Sequence, residues 1–321
     1  MGGELARRAG AVKHGDRWVR AGALAGALTA LLLGFFALVR PWYSSWGADA
    51  ALGRAYLPGD TLLWQGAPRE TRAIAIRAPA TAVWPWVAQI GQDRGGFYSY
   101  EILENLVGSE MRNLDYLVPA LQRWQVGDKL WMFPPRKLGG VGQAPLAIYE
   151  PGHALVFYTR RTGTGLDDPP DGTWAFVVEP IDPATSRLVM RARARGSLGL
   201  LGAAFNRGIF EPVHFAMERK MMEGIKARAE GRHFSKAADD AQVVLWIVTF
   251  VGLVTSAVLV LIGRRWRQRT ITFVGAGALF QLLTLVQPSL FIGIPLVIIL
   301  SLAIWAPLLD RRLPAGGSSG R

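Results

Sequence analysis

The chain has 321 residues, half of them hydrophobic and 19% charged, with no cysteine, a formal net charge of +12 and a mean hydropathy of +0.21. That combination excludes a disordered or collagen-like chain, a disulfide-stapled scaffold and a cysteine-ligated metal centre. Positive mean hydropathy at ordinary charge content requires the apolar residues to be gathered in segments, so membrane and soluble parts are expected.

A basic tail over residues 1–20 precedes a charge-free run from Ala21 to Val39, rich in Leu and Ala and long enough as a helix to cross a bilayer core. This predicts a first transmembrane helix over 21–40. Ala48-Asp49-Ala50 imitates a signal-peptide cleavage site, but it stands too far beyond the run, and the run is longer than a signal core; an uncleaved anchor is expected. Residues 41–68, with many Trp, Gly, Ala and Pro and little periodicity, read as a connector with one short amphipathic piece.

Alternation of Ile74 and Ile76 with Ala73, Ala75 and Arg77 predicts a strand over Thr71 to Arg77. Pro79 then sits near the first turn of a helix whose stripe is Val83, Trp84, Val87 and Ile90, ended by Gly91. After a Gly95-Gly96 turn, Ser99 is placed to cap a short helix through Leu106. Strands are predicted over Lys129 to Phe133, Leu146 to Glu150, Ala154 to Thr159, Thr173 to Glu179 and Arg187 to Arg195, and Glu211-Pro212 opens a long helix to Glu230. This order is α+β, with helices on one face of a curved antiparallel sheet.

Several stretches also carry a family pattern. Ala78-Pro79-Ala80-Thr81-Ala82-Val83-Trp84-Pro85-Trp86, Gln89-Ile90-Gly91-Gln92, Arg94-Gly95-Gly96-Phe97-Tyr98-Ser99-Tyr100 and Leu103-Glu104-Asn105 resemble the START-like helix-grip superfamily, in particular its SRPBCC or polyketide-cyclase-like group. Gly127-Asp128 and the helix from Glu211 through Met217 to Lys226 are similar to the same group. The resemblance covers residues 69–234 and none of the apolar runs. It implies a curved sheet wrapped on the long C-terminal helix with a cavity between them. It does not choose among lipid carriers, hormone receptors, cyclases and oxygenase subunits, since one fold hosts many functions.

The last helix presents Val213, Met217, Met221 and Ile225 on one side, with Phe210, His214 and Met222 beside them. Methionines suit either a plain core or an adaptable ligand wall. Met190, Ala192 and Ala194 alternate with Arg191, Arg193 and Arg195; the alanines leave volume inside, and the arginines read as a solvated face or as contacts to lipid headgroups. The candidate ligand-binding residues are Tyr98, Trp131, Phe133, Tyr158, Ala192, Ala194, His214, Met217 and Met221, with His214 the one weak catalytic candidate. Arg94 and Glu104 read as an acid–base pair at the mouth or as surface charges.

The four histidines, His14, His153, His214 and His233, lack metal-ligand spacing. Gly139-Gly140-Val141-Gly142 lacks the Lys-Ser/Thr of a phosphate loop, and Asp167, Asp168 and Asp171 lack calcium-loop spacing. No cofactor or metal is implied. Expected partners are a small hydrophobic or lipid-like molecule, the bilayer itself and a membrane protein.

Further apolar runs extend over 241–263 and, without a charge, from Thr270 to Leu309; Pro288-Ser289 divides the second into helices over 270–287 and 289–309, followed by a tail over 310–321. Four transmembrane helices are therefore expected. Most of the net charge sits on their flanks: Arg7, Arg8, Lys13, Arg17, Arg20 and Arg40; Arg264, Arg265, Arg267 and Arg269; Arg311, Arg312 and Arg321. The near-neutral remainder argues against nucleic acid. The positive-inside rule predicts a multi-pass plasma-membrane protein with both ends cytoplasmic and the helix-grip domain outside. The runs lack internal charges of the kind that mark pumps. The functions expected are binding of a hydrophobic or lipid-like ligand, a cyclase- or hydratase-like reaction with His214 moving protons, or a closed module engaging a membrane partner.

Overall fold

The computed structural model describes residues 2–137, 142–160, 171–195, 199–232, 234–263 and 265–309. Gly139 to Val141, Asp167, Asp168 and His233 lie outside these, as does the side chain of His14. The chain divides into two compact units, one of residues 40–236 and one of residues 1–39 with 237–321.

In the first unit, β1 (Arg69–Ile76), β2 (Lys129–Trp131), β3 (Gln143–Glu150), β4 (Ala154–Thr159), β5 (Gly172–Asp182) and β6 (Thr185–Ala194) form one antiparallel sheet in the order β1-β6-β5-β4-β3-β2. Strands β2 to β6 are a meander, and β1 closes on β6 at the far edge. Between β1 and β2 the chain passes through α4 (Ala80–Ala88) and α5 (Glu101–Leu106); after β6 it passes through α6 (Gly199–Phe205) and a π-helical turn (Asn206–Phe210) into α7 (Glu211–Ala229). The α+β architecture is as the sequence order implies. Ser99 is not a cap: Tyr100 occupies that position without a side-chain bond, and the Ser99 hydroxyl donates to the Met217 carbonyl at 2.9 Å.

Alternation gives the sheet two faces, and both are covered. On the inner face Leu155, Phe157, Phe176, Leu188 and Met190 pack with Val83 and Val87 of α4 and Met221, Met222 and Ile225 of α7. Each fully buried large apolar side chain contributes about 1.5–3 kcal/mol. At Gly224 the backbone of α7 comes against the carbonyl of Tyr98, a residue in the left-handed region at φ 57°, and a Cβ there would overlap that carbonyl. Space between helix and sheet is filled on this stretch.

The outer face is covered by the segment that reads from sequence as a connector with one short amphipathic piece. A short α3 (Ala50–Arg54), capped by Asp49, and the following turns seat Leu52 and Leu57 on Ala73, Ala154, Val156, Ala175, Val177 and Val189. Arg191 and Arg193 point into this layer and are buried, which corrects the reading of a solvated or headgroup-facing row at those two positions, while Arg195 is exposed. Arg191 reaches the carbonyls of Ala55 (2.7 Å) and Leu52 (2.8 Å) and the Asp60 carboxylate (2.6 Å); Arg193 reaches the carbonyls of Asp60 and Trp64. An irregular segment carries unpaired carbonyls, and guanidinium donors from the strand satisfy them.

In the second unit α1 (Gly2–Gly34) continues through a π-helical turn (Phe35–Val39) towards α2 (Arg40–Ser44), and α8 (Lys236–Ile262), α9 (Trp266–Gln281) and α10 (Leu290–Leu309) complete it. Three stretches are long and apolar enough to cross a membrane: Asp16–Ser44, Lys236–Ile262 and Trp266–Val286. The expected fourth is not among them. Among the described residues its apolar stretch is Leu290–Trp305, within α10 (Leu290–Leu309). Gln287, left-handed at φ 50°, makes the predicted turn before α10, and Arg269 donates to the Ile304 carbonyl at 2.9 Å.

Candidate functional site

Antiparallel register lines the inner face up in rows. Phe157, Trp174, Ala192 and Glu70 form one; Leu155, Phe176, Met190 and Arg72 form the next. On α7, residues 214, 217, 218 and 221 share a stripe facing the grip. Burial falls from Met221 to the partly exposed Met217 and His214 on the helix, and from Met190 through Ala192 to the exposed Ala194 on β6. Both gradients define one rim, where the grip meets solvent.

The rim is built on a buried ion network. Arg72, fully buried, places Nη1 2.5 Å from Glu218 Oε2 and Nη2 2.5 Å from Glu70 Oε2, while its Nε donates to the Tyr43 carbonyl at 2.9 Å. Its guanidinium also lies 5.1 Å from the centre of the Phe215 ring. Burial alone would push the Glu218 carboxyl up, but Arg72 and His214 outweigh it and hold it below the usual carboxylate range. Glu70 goes the other way, since its burial exceeds the help from Arg72. Farther along, Glu211 accepts from Arg40 Nε at 2.8 Å and from Asn206 Nδ2 at 2.9 Å.

His214 is the network's outlet. Its Nδ1 is 3.3 Å from Glu218 Oε2, and its ring stacks on Phe210 and tilts against Trp174, each with centroids 5.6 Å apart. A neutral ring donating from Nδ1 keeps Nε2 as its acceptor. Trp174 is 6% exposed, and its indole Nε1 is covered with no hydrogen-bond partner among the described residues. The rim therefore combines a buried donor in want of an acceptor, an imidazole, and aromatic and small apolar walls.

Of the sequence candidates, His214, Met217 and Ala192 meet at this rim, with Ala194 at its exposed edge and Met221 sealed in the core below. The others do not join them. Tyr98 is wholly buried, edge-on to Trp86 and under the Arg228 guanidinium, and burial pushes its hydroxyl up. Tyr158 belongs to the outer face, because Leu155 and Phe157 take the inner positions of β4. Trp131 lines an open hollow of about 360 Å³ with Asp93, Arg94, Gly127, Asp128 and Lys129, a lining too charged for an apolar guest. Phe133 packs over Gly142.

Arg94 and Glu104 are not a pair. Arg94 lies over the Trp124 ring at 3.7 Å and donates to the carbonyls of Leu121 and Arg123. Glu104, with one carboxylate oxygen covered and unpartnered, is pushed up to about 8 by its burial and by Glu101. Among the described residues no group of three or more His, Asp or Glu is arranged to hold a metal ion.

No family model matches the chain, and no curated protein does. Among solved structures it is similar to a protein from Thermobifida fusca (15% identity, 52% of this chain and 97% of that one, TM-score 0.33). It is also similar to a polyketide-cyclase-like protein from Corynebacterium glutamicum (12% identity, 52% and 91%, TM-score 0.25). A third is norcoclaurine synthase from Thalictrum flavum, solved with dopamine and hydroxybenzaldehyde (10% identity, 57% and 99%, TM-score 0.29). Likenesses of this size carry no argument about chemistry, which rests on the chain's own geometry.

Sequence reasoning missed Glu70, Arg72, Trp174 and Glu218 as a set. The signals were there: residues 70 and 72 share the parity of Ile74 and Ile76, and Glu218 follows His214 by one helical turn. Glu70, Arg72 and Glu218 are charged and so read as surface residues, whereas Trp174 reads as core.

Proposed function

We propose that the chain is a membrane-anchored helix-grip protein that holds one end of a small, largely apolar molecule at the Trp174–His214 rim. The observation that carries this reading is the covered, unpartnered Trp174 N–H beside the partly exposed His214. A buried donor without an acceptor costs about 1–3 kcal/mol, which a ligand oxygen would recover. The filled interior limits the ligand to a small polar head near Trp174 and an apolar part lying along Ala192, Phe210 and Met217. The anchor is the Asp16–Ser44 helix. The folded domain lies between the first two spans, and Arg17, Arg20, Arg265 and Arg267 flank the opposite ends of those spans, so the domain is outside the cytoplasm.

Native mass spectrometry of the full chain in nanodiscs, with extraction of anything retained, tests the reading. One retained small apolar species, lost in Trp174→Phe while the fold persists, is the expected result. An empty wild-type protein would overturn it. That outcome would favour the second reading, a closed interaction module for a membrane partner, which the tightly filled space between α4, α7 and the sheet supports. A cyclase-like reaction at His214 would need the same occupied rim.

A further inference from the structure

Between β6 and α7 the chain turns its large apolar side chains outward. Leu200 and Leu201 are 90% and 88% exposed, and Phe205, Ile209, Phe210 and Val213 are roughly half exposed. Exposed apolar residues scattered singly need no explanation, but a run of this density on one short helical segment does. The segment's one charged residue before Glu211 is Arg207, also exposed. Apolar bulk with a lone cation is the composition of a helix lying in a bilayer interface.

Its position within the folded unit points to the same occupant. Glu211, which closes the segment, binds Arg40 through one carboxylate oxygen and Asn206 of the segment through the other. Arg40 is the first charge after the apolar run Ala21 to Val39, and Trp42 and Tyr43 follow it. Arginine and aromatic residues at the end of a span mark the level of the headgroups. Trp42 and Tyr43 in turn pack on Phe215 of α7, at 5.7 and 5.0 Å between ring centroids. The exposed segment is thereby tied to the residues that leave the bilayer.

We propose that residues 199–213 form an interfacial docking element, with Leu200, Leu201, Phe205, Ile209 and Phe210 in the outer acyl region of the bilayer and Arg207 among the phosphate headgroups. The occupant is lipid, at a depth of about 5–10 Å below the headgroup boundary. Phe210 stacks on His214, so this element forms the lipid-side wall of the rim, and an apolar ligand would enter from the membrane. The inference rests on the anchoring of Asp16–Ser44 in the bilayer.

The chain has no cysteine, so single labels are specific. Leu201→Cys, Leu32→Cys and Leu106→Cys are spin-labelled in the full chain and reconstituted in vesicles of phosphatidylcholine and phosphatidylglycerol. Accessibility to oxygen is then compared with accessibility to a water-soluble nickel chelate. Leu32 lies within the first span, and Leu106 is an exposed residue of α5. Leu32 and Leu201 are expected to favour oxygen, Leu201 less strongly, and Leu106 to favour nickel. A Leu201 label that behaves like Leu106 while Leu32 remains in lipid would overturn the docking element alone. A Leu201 label shielded from both reagents would overturn it too, since protein and not lipid would then cover the segment. A Leu32 label open to nickel would overturn the anchoring and the docking together.

Discussion

The two faces of the sheet bury arginines in opposite ways. On the inner face Arg72 is met by two carboxylates, Glu218 and Glu70, with His214 at their edge. On the outer face Arg191 and Arg193 are met chiefly by main-chain carbonyls of the segment after the first apolar helix, with Asp60 the one acid among the described residues. A carbonyl cannot titrate, whereas a carboxylate and an imidazole can. The outer arginines therefore fasten a segment, and the inner one sets charge and orientation at a rim that meets solvent. Residue type alone does not separate these roles; the partner does.

Removing the inner arginine is the hardest blow to this contrast. Arg72→Met leaves the buried Glu218 and the partly buried Glu70 without the guanidinium they share, and a loss of about 3–5 kcal/mol in chemical denaturation of the full chain is expected. Acid sharpens the point. Glu218 is held below its unfolded pKa, so its stabilisation is complete above that value and is lost as pH falls through the lower folded value. Glu218→Gln should lower stability at neutral pH and flatten that acid limb. An unchanged limb would mean that other carboxylates set it.

Arg191→Met is expected to cost about 2 kcal/mol, the scale of hydrogen bonds to a charged group. The damage should be local. Hydrogen exchange should rise over residues 48–66 while α7 stays protected, and faster exchange across both faces would break the distinction drawn above. Glu104 is on neither face's arginine network. Its folded pKa of about 8 exceeds the unfolded value, so the folded state holds a proton that the unfolded state releases, and stability declines as pH rises from about 4.5 to 8. Glu104→Gln should remove that decline and raise Tm at pH 8, with no change at pH 4. Equal Tm values at pH 8 would place the Glu104 carboxylate in water.

How legible all this was in the sequence depended on whether one face of an element was free. Strand β1 showed alternation, and it formed within two residues of its predicted start. In β4 the run Ala154-Leu155-Val156-Phe157 is apolar throughout because both faces are covered, so parity could not be read and Tyr158 was assigned to the wrong side. The segment over residues 41–68 has no period because its carbonyls bond to Arg191 and Arg193, more than a hundred residues away. The rim was half legible: His214, Met217 and Ala192 came from helix and strand periods, but Trp174 and the acid–arginine set needed the register between strands. Of the four apolar runs, α10 is the one not among the three stretches long and apolar enough to cross a membrane, Leu290–Trp305 being its apolar part among the described residues.

Gly224 determines how the grip can breathe. Its backbone contact with Tyr98 lies near the inner end of α7, while His214 and Phe210 lie at the outer end. A rod pressed against a fixed point near one end has one easy motion, a swing of the other end. Opening for a larger guest would therefore lift Phe210 and His214 most and the Met222–Ile225 stretch least. The same tilt would strain the Arg72–Glu218 and Arg40–Glu211 ion pairs.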